Sequence, residues 1–201
     1  LKALRDPAPA VQVQAARGLA AAGAPVGNAE LLRAFHTDDP ALREVLVQTL
    51  AGLNAGRMRA FLDDLMGFTD GDVLQGGLEV VGALKDPASA GLLSAWLADR
   101  KPGLRAAAAR AMGRLGAPGA ADALGRCLSD PVEAVRHAAV TGLADLDSPE
   151  AVEALKGALV DPSPWVRMAL ARAVSGRRDG PRPGPLAGLL DVLSGDPDDG
   201  V

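Results

Sequence analysis

The chain has 201 residues, 48% of them hydrophobic, 23% charged and only 2% aromatic, with no Tyr, three Phe and two Trp. A core drawn from Leu, Val and Ala suits closely packed helices and leaves few rings to line a deep ligand cavity. A net charge of −4 lacks the basic surplus of a dedicated polyanion binder, and the single cysteine, Cys127, excludes intramolecular disulfides and Cys-cluster metal sites.

In chain order, the apolar residues repeat every 31 positions. The segment Asp130-Pro131-Val132-Glu133-Ala134-Val135-Arg136 matches Asp161-Pro162-Ser163-Pro164-Trp165-Val166-Arg167 at Asp, Pro, Val and Arg. The aliphatic before the Arg stands at Val11, Leu42, Val73, Leu104, Val135 and Val166, and eight residues further on stand Leu19, Leu50, Val81, Met112, Leu143 and Val174. Leu31, Leu62, Leu93, Leu124, Leu155 and Leu186 follow, and then Phe35, Met66, Leu97, Leu128, Leu159 and Leu190. Within one period, Val135, Ala139, Leu143 and Leu146 form one helical stripe, and Val152, Leu155 and Leu159 form a second after a break. The breaks carry Pro25, Gly56, Pro87, Pro118, Pro149 and Gly180. Asp130 and Asp161 are placed to cap the second helix of their pairs, with Pro131 and Pro162 in its first turn, and Asp6-Pro7 repeats the device.

Each period therefore predicts a helical hairpin that cannot bury both faces alone and must stack on its neighbours. The predicted fold is all-α, a right-handed α-α superhelical solenoid forming one array over 1–201. It comprises a half-repeat 1–22, complete repeats at about 28–53, 57–84, 88–115, 119–146 and 150–176, and a terminal half-repeat 185–201. Because Leu1–Arg5 read as the last turn of a helix and Asp196–Val201 stop where a partner helix is due, an excerpt of a longer protein, or a processed one, is expected, with association end to end. Gly76-Gly77 inside one predicted helix, with Phe68 in place of Asp and Leu74 in place of Arg, predicts local looseness or a change of curvature there.

The run Asp-Pro-x-x-x-Val-Arg-x-x-Ala-x-x-x-Leu at 130–143, followed by Pro-x-Ala-Val-x-x-Leu at 149–155, resembles the short bacterial HEAT-like repeats, including those of phycobilin-lyase type. The resemblance implies that Arg43, Arg105, Arg136 and Arg167 ladder with loop acids of adjacent units. Gln12 and Leu74 depart from that pattern. It leaves function open, because this repeat serves many purposes.

In such stacks the second helices line the concave side, and the offsets opposite the apolar stripe are what a partner meets. Those positions give Arg110, His137, Thr141, Met168, Arg172, Glu44 and Glu79 as candidate partner-binding residues, with Arg110, His137, Met168 and Arg172 the densest cluster. A positive, partly apolar strip suits an acidic protein segment. The reading is therefore a non-enzymatic scaffold for another protein, with no cofactor, no membrane span and the cytoplasm as default compartment. The alternatives are a bilin lyase or other chromophore-handling protein, which wants an aromatic and acidic pocket, and a HEAT-like DNA glycosylase, which wants aromatic wedges and a basic groove. His36 and His137 lie three repeats apart, roughly 30 Å at ~10 Å per repeat, too far to share a metal. Asp63, Asp64, Asp70 and Asp72 lack the alternating ligands and distal Glu of a calcium loop and read as helix-end caps. Trp96 and Trp165 are expected to pack, Cys127 to be a semi-buried apolar residue, and Arg177–Pro185 to be a stiff loop whose arginines are offset by nearby acids.

Overall fold

The computed structural model describes residues 6, 8–21, 45, 48, 65, 71–146 and 148–175. Among them are eight α-helices and no strand: α1 (Pro9–Ala21), α2 (Gly71–Leu84), α3 (Ala90–Trp96), α4 (Pro102–Leu115), α5 (Ala120–Cys127), α6 (Glu133–Leu146), α7 (Pro149–Leu155) and α8 (Pro164–Val174). Short 3₁₀ turns at Pro87–Ser89 and Lys156–Val160 open α3 and close α7. The fold is that of a helical-repeat solenoid, and the chain divides into two compact units, Leu1–Leu84 and Lys85–Val201.

In the first unit, α2 runs unbroken through Gly76-Gly77, and both glycines are buried. A Cβ at Gly77 would collide with the Leu65 side chain, so the glycine admits a neighbour where looseness was predicted. Val11 of α1, on the predicted apolar stripe, is 40% exposed.

In the second unit the hairpins stack in two layers. The second helices α4, α6 and α8 pack side by side, and the first helices α5 and α7 pack behind them. Leu104, Val135 and Val166 are buried, as are Met112, Leu143 and Val174 eight residues on and Leu93, Leu124 and Leu155 in the first helices. The next predicted position is displaced by one residue. Trp96, Cys127 and Ala158 are buried, whereas Leu97, Leu128 and Leu159 are half-buried. The first helices end in tight three-residue turns, with the Leu128 amide bonded to the Gly125 carbonyl at 3.2 Å, so the residue three after the core leucine faces inward.

Small side chains set the layer spacing. Ala107, Ala108, Ala109 and Ala111 of α4 and Ala138 and Ala139 of α6 are buried, and Gly113 and Gly142 bring the two backbones into contact. Proline opens α4, α7 and α8 at the first helical position, where no amide hydrogen is needed. Ser148 and Ser163 cap α7 and α8, accepting from the amides of Ala151 and Trp165 at 3.2 Å each. Gly116, with φ 66°, closes α4.

Candidate functional site

Among the described residues, the loops before α1, α4, α6 and α8 are built the same way. Asp6, Asp99, Asp130 and Asp161 accept through Oδ1 from the amide two residues on, at 2.9, 2.7, 2.9 and 2.8 Å. Asp130 and Asp161 therefore form Asx turns ahead of the helix and are not its caps; α6 starts at Glu133, α8 is capped by Ser163, and Pro131 and Pro162 lie outside both helices. The carbonyl of each of these aspartates is held by the side chain six residues later: Gln12 Nε2 at 2.6 Å, Arg105 Nη1 at 2.9 Å, Arg136 Nη1 at 2.8 Å and Arg167 Nη1 at 2.6 Å. Gln12 thus keeps this bond without the guanidinium.

The arginines also tie one repeat to the next. Arg105 donates from Nε and Nη2 to the two carboxylate oxygens of Asp130 at 2.7 and 2.9 Å, and Arg136 does the same to Asp161 at 2.7 and 3.1 Å. These side chains are only 14% and 11% exposed in one rung and 12% and 5% in the other. Burial pushes Asp130 up, but the Arg105 guanidinium and the Val132 amide outweigh it and hold the carboxyl below its ordinary value. Asp161 is lowered chiefly by Arg136, against burial and with help from the Ser163 amide. Ser163 Oγ adds a bond to Glu133 Oε2 at 2.8 Å, a further tie between repeats that the pattern of apolar residues did not indicate. Arg105 and Arg136 are therefore structural, as the resemblance implies, while Arg43 lies outside the described residues.

Of the candidate partner-binding residues, the exposed ones among the described residues lie on α6 and α8. His137 and Thr141 are exposed on α6, and Thr141 Oγ1 donates to the His137 carbonyl at 3.1 Å. Met168, at 41%, and Arg172 are exposed at the corresponding positions of α8. The strip narrows at α4, where Ala106 is buried and Arg110 half-buried. Glu79 is half-buried in the first unit, and Glu44 lies outside the described residues. Trp165, expected to pack, is 61% exposed on the first turn of α8, while Trp96 is buried with its indole nitrogen unpaired. The signal for Trp165 was in the register, since the same position holds Ala134 and Gly103 in the two preceding repeats. Cys127 is buried, donates to the Ala123 carbonyl, and has its thiol pushed up by burial, which suits packing and not nucleophilic chemistry.

At the other ends of these helices the turns between repeats enclose an open groove of about 600 Å³, lined by Lys85, Arg114, Asp122, Asp145, Ser148 and Glu150 among others. No group of three or more His, Cys, Asp or Glu able to hold a metal occurs among the described residues, and none of the described helices is long and apolar enough to cross a membrane. His36, the acids Asp63, Asp64 and Asp70, and the loop Arg177–Pro185 lie outside the described residues; Asp72 lies within α2.

No curated protein sequence matches the chain. Among solved structures, the complex of CpcE and CpcF of phycocyanin lyase from Nostoc sp. PCC7120 is similar with a TM-score of 0.57 at 21% identity, covering 73% of this chain and 96% of that one. An engineered protein gives 0.47 at 18% identity, covering 86% and 94%. Human deoxyhypusine hydroxylase gives 0.37 at 21% identity, covering 98% and 88%. The family model for HEAT repeats matches residues 69–135 and 126–201, and the chain, with its stacked hairpins and the rungs between them, belongs to the HEAT-repeat family.

Proposed function

We propose that the chain is a non-enzymatic scaffold, acting as one array over 1–201, which binds a segment of another protein along its second-helix surface. His137, Thr141, Met168 and Arg172 form the centre of the contact, with Arg110 toward its edge, and Glu44 and Glu79 are the candidate partner-binding residues of the unit Leu1–Leu84. The observation that carries this reading is the exposed strip on α6 and α8, in which a thioether 41% exposed and the neighbouring Trp165 lie beside cationic Arg172. Exposed large apolar groups on a rigid helical surface act as interface anchors, and a surface that does not reorganise loses little entropy on docking. The test is affinity capture from the source cell with the chain and with its Met168→Asp, Arg172→Glu double variant. Both side chains are exposed, so the helical circular-dichroism melt stays in place while the bound protein is lost. Equal capture by both chains would place the contact elsewhere.

Chromophore handling, suggested by the phycocyanin lyase likeness, has one feature in its favour. Lys85 and Arg114 line the open groove between repeats and suit the carboxylates of a bilin. Among the described residues no aromatic side chain lines it to stack on the rings. A bilin whose absorbance is unchanged on mixing with the chain ends that reading.

A further inference from the structure

We infer that the open groove at the turns of the second unit is a docking site for an extended segment of a partner protein that carries one acidic and one basic residue three positions apart. The site is separate from the strip on α6 and α8 and does not rest on it. Among the described residues, Lys85, Arg114, Asp122, Asp145 and Glu150 line this groove of about 600 Å³, all of them exposed and all within the unit Lys85–Val201. Their signs are sorted. Lys85 and Arg114, the latter in the last turn of α4, supply positive charge, while Asp145 in the last turn of α6 and Glu150 in the first turn of α7 supply negative charge. Asp122, in the first turn of α5, offsets the positive end of its own helix. Arg114 and Asp145 hold the same position of adjacent repeats, 31 residues apart, so the sign reverses across one helix spacing of about 10 Å. An extended chain rises about 3.3 Å per residue, and three residues cover that step.

Two of these residues stand against their local preference. Lys85 has φ 52°, in the left-handed region, where the next repeat places Gly116 at φ 66°. A lysine holds that backbone only against the crowding of its own Cβ. Asp145 lies at the C-terminal end of α6, where the helix's negative end disfavours a carboxylate and where α4 carries Arg114. A local misfit that occurs twice in one groove, once with each sign, fits retention for a ligand and not for the fold. Glu150 stays ionised, since its own amide and the Ser148 hydroxyl hold its carboxyl below the ordinary value. The turn between α4 and α5 leaves room for a ligand backbone, because a Cβ at Gly116 or Gly119 would meet nothing within 4 Å. The acids disfavour a polyanion and the cations a polycation, so a segment bearing both signs is the complement.

The test titrates the whole chain, followed by two-dimensional amide spectra, with a short blocked peptide that is uncharged except for a Glu and an Arg three positions apart. Shifts are expected at Gly116, Gly119 and Ser148 and not at Met168. Peptides with Glu at both positions, or with Glu and Arg adjacent, are expected to bind about threefold more weakly, the size of one exposed ion pair. Lys85→Gly is expected to weaken binding by the same factor while raising the melting temperature, because glycine takes the left-handed backbone without crowding. Arg114→Asp is expected to reverse the preference, taking a peptide with Arg at both positions over the one with Glu and Arg. Equal binding of all the peptides, unchanged binding by both variants, or unshifted Gly116 and Gly119 at millimolar peptide overturns the inference. Loss of the peptide in the Met168→Asp, Arg172→Glu variant would move the contact to the strip on α6 and α8. Shifts at the turns that grow with chain concentration alone would give the groove to a second copy, and either result overturns it.

Discussion

At the scale of single residues, the ladder shows how one polar pair is kept inside an otherwise aliphatic stack. A buried carboxylate is costly unless every oxygen has a donor, and Asp161 has Arg136 on both oxygens and the Ser163 amide on one. Asp161→Asn leaves the Arg136 charge without its counter-ion, and chemical denaturation should show a loss of about 3 kcal/mol. Asp6→Asn, in the loop held by neutral Gln12, should cost well under half of that in the same measurement. The rungs also give an acid dependence. Asp130 and Asp161 have folded-state values below the ordinary 3.8, so their contribution is complete above that value and is lost as pH falls through the lowered ones. Urea melts between pH 5 and pH 2 should therefore show a steep loss of stability in the native chain and a shallower one in the Asp130→Asn, Asp161→Asn variant. Parallel curves for the two chains would assign acid sensitivity to other carboxylates.

At the scale of the element, glycine decides how closely second helices approach. A Cβ on Gly113 would run into the backbone of Gly142, and one on Gly142 would stand 2.7 Å from the Ala109 carbonyl oxygen, so neither neighbour can yield by a rotamer change. Gly113→Ala should therefore cost about 1–3 kcal/mol through forced separation of α4 and α6. Gly91→Ala in α3, where a Cβ meets nothing within 4 Å, should stabilise by about 0.5–1 kcal/mol by restricting the unfolded chain. Opposite signs for two Gly-to-Ala changes in thermal melts check the packing directly. This division was only partly legible in the sequence. The period located Leu104, Val135 and Val166 in the core and His137, Thr141, Met168 and Arg172 on the surface, because helical phase repeats with the unit. It misplaced the end of the first helices, where the tight turn buries Trp96, Cys127 and Ala158 in place of Leu97, Leu128 and Leu159, since hydrophobicity does not report a change from four residues to three. It also read Asp130 and Asp161 as caps, because a helix cap and an Asx turn ask for the same side chain a residue or two apart. For Trp165 the sequence offered only the register, in which the same position holds Ala134 and Gly103, and a ring at that position reads as readily as a packing residue.

At the scale of the whole molecule, stability in a stacked array is a sum of units and of the interfaces between neighbours, so damage should travel by contact and fade with distance along the chain. Leu143 is the place to test this. Its side chain is fully buried on α6, which packs against α4 and α8 in its own layer and against α5 and α7 behind it. Leu143→Asp puts an unpaired carboxylate among aliphatic groups with no donor in place, a change severe enough to open the hairpin instead of merely weakening it. Because α6 has neighbours on both sides, the loss cannot stay within one hairpin. Hydrogen exchange at neutral pH should show α5 and α6 exchanging fast, α4, α7 and α8 with reduced protection, and α2, in the separate unit Leu1–Leu84, close to its native rate. Lowering the pH toward the carboxyl's own raised value should restore part of the protection, because the neutral acid is far less costly to bury. Uniform loss of protection from α1 to α8 would instead describe one cooperative globule, and unchanged protection in α4 and α8 would mean that the second helices do not hold one another in place.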